Sequence, residues 1–76
     1  MEVYERGVHV CQEFTDFVLL DKTRMSIIIN VDLEFFKTIK KEMQKIGYRL
    51  VFTKPFKDIN SITCAFELIP KKNNKI

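Results

Sequence analysis

The sequence predicts a small α+β domain of order ββαββ: a four-stranded, mainly antiparallel sheet with one helix packed on one face. Three observations carry that prediction. Residues 33–46 repeat apolar side chains at helical spacing. Segments on both sides of them alternate apolar and polar residues, as half-buried strands do. The chain has 76 residues, enough for one core under one sheet and too few for two domains.

The helix, Leu33–Ile46, is the best-marked element. Phe36, Ile39, Met43 and Ile46 fall on one stripe, and Leu33 and Phe35 widen it at the N-terminal end. Asp32 is the expected N-cap, with Val31 placed to pack on Phe36 as a hydrophobic staple. Gly47 is the expected left-handed residue that ends it. Acidic Glu34 opens the helix and lysines fill its middle and end, in agreement with its dipole.

Four strands surround it. Met25–Val31, Tyr48–Thr53 and Ile62–Ile69 all show a period of two. Phe14–Leu20 is the expected fourth strand, joined to the next through Asp21-Lys22-Thr23-Arg24. Val8–Cys11 either extends that strand or forms a short one of its own after Gly7. Lys54–Ser61, with Pro55, Asp58 and Asn60, reads as a hairpin loop. The helical crossover is expected to make its two flanking strands parallel. Residues 71–76 read as a disordered basic tail after Pro70.

Charge divides the chain. Residues 1–36 sum to −4 and residues 37–76 to +7, so the net +3 conceals a basic half where an anionic partner is expected. Ten lysines against three arginines favour general solubility over bidentate phosphate recognition. The start Met1-Glu2-Val3-Tyr4-Glu5 is acidic, without the apolar stretch of a signal peptide. The apolar runs Phe17–Leu20 and Ile27–Ile29 are too short to cross a bilayer, so no membrane is expected as a partner. A cytoplasmic location follows as an expectation, with both cysteines reduced.

One helix leaves the opposite sheet face uncovered. Its expected residues are Phe17, Leu19, Ile28, Val51, Ala65 and Ile69, with Thr15, Ser26, Thr53, Thr63 and Glu67 among them. That is more apolar than a solvated face requires, and apolar patches of this kind mark interfaces. Either a second copy or a partner protein covers it, or the N-terminal segment with Val3, Tyr4, Val8 and Val10 folds back over it.

Catalytic signals are sparse. On a strand, His9, Cys11 and Glu13 would share one face and resemble part of a zinc site or a nucleophile–base pair. The only other Cys or His is Cys64, which sits on an apolar alternation as a core filler, so no metal ligands are assigned. With glycine only at Gly7 and Gly47, no glycine-rich phosphate loop can form. No Ser-His-Asp set or HExxH pattern is present. The expectation is therefore no enzyme, no cofactor and no catalytic residues.

Two function classes remain. The first is a non-catalytic protein-binding regulator, adaptor or inhibitor, homodimeric through the uncovered sheet face. The second is a nucleic-acid-binding domain using Lys37, Lys40, Lys41 and Lys45 of the helix with Arg49, Lys54 and Lys57 of the second hairpin, joined by Lys71 and Lys72. Phe56 is the aromatic best placed to stack on a base. The plain alternative for the lysine stripe is a solvated helix face. A triple change of Lys37, Lys41 and Lys45 to Glu separates the two classes.

Overall fold

In a computed structural model that describes residues 2–69, the chain runs α1 (Val3–Phe14), β1 (Val18–Asp21), β2 (Ser26–Asp32), α2 (Leu33–Ile46), β3 (Tyr48–Phe56), a 3-10 turn (Lys57–Ile59) and β4 (Ser61–Leu68). The sheet order is β1-β2-β4-β3, with every neighbouring pair antiparallel. The strands flanking α2, β2 and β3, run the same way with β4 between them. The basic tail, with Lys71 and Lys72, lies outside the described residues.

The architecture is α+β as expected, but with two helices on the sheet instead of one. The segment around Val8–Cys11 is the middle of α1, not a strand. Its pattern is helical once Gly7 is counted as an inward position: Tyr4, Gly7 and Cys11 are buried. Gly7 conceals this, because glycine disfavours a helix interior and β-branched valines at 3, 8 and 10 favour strands.

α2 spans Leu33–Ile46, as its stripe predicts, with Ile39 and Met43 fully buried. Gly47 ends it at φ 122°, and its N–H reaches the Met43 and Gln44 carbonyls. The capping expectation fails at the other end. The Asp32 side chain makes no cap hydrogen bond; instead the Asn60 carbonyl accepts the Leu33 N–H at 2.9 Å. The backbone of the β3–β4 connection does the work assigned to a side chain.

Both helices share one sheet face and one core. Ile27, Ile29 and Val31 from β2 and Ile62, Cys64 and Phe66 from β4 point into it, against Ile39 and Met43 of α2 and Tyr4 and Cys11 of α1. The helices meet where Cys11 Sγ lies 3.9 Å from Met43 Sδ and where the Phe14 and Phe35 rings stand 5.9 Å apart. α1 therefore does not fold back over the opposite face, and that alternative is ruled out.

Two tyrosines tie α1 to the sheet. Tyr48 Oη donates to the Tyr4 carbonyl at 2.8 Å, and Tyr4 Oη donates to the Ser26 carbonyl at 2.9 Å. Each bond satisfies a buried hydroxyl, so each removal exposes its partner to a desolvation cost. Tyr4→Phe should lower stability by about 1–2 kcal/mol, read as a lower urea midpoint with unchanged slope.

The strand limits also move. Phe14 closes α1, so β1 is shorter than Phe14–Leu20; Met25 leaves β2 for the turn at φ 54°. β3 continues through Lys54, Pro55 and Phe56, where the sequence predicts a loop. Pro55 fits because β3 is an edge strand, where a missing N–H costs no ladder bond.

Candidate functional site, the open face of the sheet

Strand register fixes which side chains share the face opposite the helices. One row runs Leu19, Ile28, Ala65, Phe52 across β1, β2, β4 and β3. The row on one side is Asp21, Ser26, Glu67, Arg49. On the other side Asn30, Thr63 and Lys54 are in register, and the Phe17 carbonyl accepts the Asn30 N–H at 3.2 Å, placing Phe17 beside them. The face is thus an apolar band between two polar rows.

Large apolar groups on it meet water. Phe17, Leu19 and Phe52 are 57%, 55% and 51% exposed. Ile28, at the centre, is 36% exposed. The polar rows are already internally bonded. Asn30 Nδ2 donates to Thr63 Oγ1 at 3.0 Å and to Ser61 Oγ at 3.3 Å, while Arg49 pairs with Glu67 at 3.4 Å. Thr15 Oγ1 donates to the Asn30 carbonyl at 2.6 Å and accepts the Phe17 N–H at 3.1 Å, holding the entry to β1 against β2.

Phe17, Leu19, Ile28 and Ala65 stand where the sequence places them. Three residues change roles at a β-bulge between Leu50 and Phe52. Val51 is the extra residue, 45% exposed, and Phe52 takes the position opposite Ala65. The sequence alternation points Phe52 into the core, and it is instead a main component of the open face. Thr53 moves the other way and now opposes Cys64. Nothing in Leu50-Val51-Phe52 signals the bulge, because three consecutive apolar residues fit either register. Ile69 lies one residue beyond β4, exposed, with its N–H bonded to the Gly47 carbonyl.

The predicted cations divide between two surfaces. Lys37, Lys41 and Lys45 are exposed along α2, in the helical layer. Lys45 pairs with Glu42 at 3.6 Å, and the Lys40 ammonium sits 5.9 Å from the Phe36 ring centroid. Arg49 and Lys54 belong to the open face, across the sheet from that helix, and Lys54 lies 5.5 Å from the Phe56 centroid. Lys57 is in the 3-10 turn. These seven residues therefore do not make one continuous stripe.

His9, Cys11 and Glu13 are separated by the helix. His9 and Glu13 are exposed, while Cys11 is buried against α2, since positions two apart on a helix point in different directions. Among the described residues no group of three Cys, His, Asp or Glu side chains is placed to hold a metal ion. A shallow depression between α1 and β1 passes Val8, His9 and Leu20.

Burial pushes the Cys11 and Cys64 thiols up from 9.0 to about 12. For Cys11 the neighbouring Cys64 adds to the effect. Both thiols stay protonated and unreactive in the folded protein at neutral pH. A folded-state value above the unfolded one stabilises below the unfolded value and is lost as pH rises through the folded one. Stability should therefore fall between about pH 9 and pH 12, and Tyr4 and Tyr48, also raised by burial, act in the same direction. Urea midpoints taken from pH 7 upward check the decline. A thiol reagent at pH 7.5 should label the two cysteines only as fast as the protein unfolds.

Among the described residues no helix is long and apolar enough to cross a membrane. No protein-family model, curated protein or solved structure matches the chain.

Proposed function

We propose that this chain is a small non-catalytic binding protein, a regulator, adaptor or inhibitor, and that the open sheet face is where it associates with protein. One observation carries the reading: Phe17, Leu19, Ile28 and Phe52 form an apolar band on a face that neither helix covers. Leaving such a band in water forgoes roughly 25 cal/mol for each Å² of apolar surface that a partner would bury. The surrounding polar rows give a rim with fixed charges, the usual anatomy of a protein interface.

The lysines of α2 support the second reading, nucleic-acid binding, because Lys37, Lys41 and Lys45 project together from one exposed helix. The split of the cations between two surfaces weakens it. A tagged protein, captured from host lysate with and without nuclease, separates the two. Protein binding should survive nuclease, be lost with Ile28→Asp, and persist when Lys37, Lys41 and Lys45 are all changed to Glu. Recovery that vanishes with nuclease or with the triple lysine change, and ignores Ile28→Asp, would favour the nucleic-acid reading.

A further inference from the structure

We infer that the occupant of the open face is a second copy of this chain, packed sheet to sheet about a two-fold axis that runs parallel to the strands. The inference rests on the reading that this face is the association surface, and adds the partner and its orientation.

Charge and shape on the two edges carry it. The β1 edge presents Phe17, Leu19 and acidic Asp21. The β3 edge presents Phe52 with basic Arg49 and Lys54. Asp21 and Arg49 occupy opposite ends of one row, and Leu19 and Phe52 opposite ends of the next. A two-fold axis parallel to the strands, between β2 and β4, lays each β1 edge over the β3 edge of the other copy. Asp21, which its own Arg24 approaches at 3.9 Å, then faces Arg49 of the second copy, which its own Glu67 approaches at 3.4 Å, so the two ion pairs meet as alternating charges. One operation sets Leu19 on Phe52 and Ile28 on Ala65, brings Asp21 to Arg49, and lays the Phe17 ring under Lys54. Such self-complementarity is what a two-fold interface requires.

The competing two-fold axis, in the same plane but across the strands, lays β3 on β3. It sets Arg49 and Lys54 of one copy against the same pair of the other, which opposes association. Both axes keep the strands of the stacked sheets aligned, so the edge charges choose between them.

Crosslinking decides the matter. Leu19→Cys protein and Phe52→Cys protein are mixed, oxidised with copper phenanthroline and resolved by mass. Native Cys11 and Cys64 are buried and stay silent. The expected product is a disulfide between the two different variants, with none from Leu19→Cys alone, because its two copies lie about 14 Å apart sideways, three strand spacings. As a second readout, Asp21→Lys and Arg49→Glu should each weaken self-association about fivefold or more, and the double variant should restore it. A dimer that crosslinks through Leu19→Cys alone overturns the orientation and leaves the face as the interface. A wild-type protein that stays monomeric overturns the second-copy assignment, while the face remains open to another protein. A dimer indifferent to Ile28→Asp overturns both.

Discussion

Replacing Gly7 by alanine should destabilise the protein by about 1–3 kcal/mol, and by valine more. At an exposed helix position the same change to alanine stabilises by roughly 0.5–1 kcal/mol, because glycine gives up more backbone freedom. The sign reverses here because a Cβ on Gly7 would run into the Tyr48 ring, 2.5 Å from its hydroxyl oxygen. Tyr48 cannot give way cheaply. It is 2% exposed, and its hydroxyl is bound to the Tyr4 carbonyl one helical turn from the clash. Equilibrium urea unfolding of Gly7→Ala measures the effect. In a background where Tyr48 is trimmed to leucine, Gly7→Ala should cost much less, and the double-mutant cycle reads the coupling directly.

The second large effect is expected at Ile28. Ile28→Asp should weaken self-association by about 100-fold or more while leaving the fold intact. The two outcomes separate because Ile28 stands at the middle of the open face and meets water in the single chain. A carboxylate there is hydrated when the protein is alone and stranded without a partner when the face is covered. Circular dichroism and a thermal melt at low concentration test the fold, and sedimentation velocity across a concentration series tests the association.

How far the sequence reveals this molecule differs between elements. α2 is readable to the residue because its stripe, its lysine-rich end and Gly47 agree with one another. β2 and β4 are readable because alternation over seven or eight residues allows only one register against a core. α1 is not, because Gly7 is chosen for the space left by Tyr48, a tertiary reason that weakens the local helical signal. The open face is legible in outline, through Phe17, Leu19, Ile28 and Ala65, and wrong at Val51, Phe52 and Thr53, where one bulged residue inverts the alternation. The seven cations are legible as a population and not as a surface. Their distribution depends on which side of the sheet α2 occupies and on how β3 turns its side chains.

Sedimentation velocity of the wild type beside Ile28→Asp is the most direct test of the open face as an association surface. Wild type should sediment as a dimer at micromolar concentration and Ile28→Asp as a folded monomer. Two folded proteins with the same mass in solution and the same affinity for every partner captured from the host would contradict it.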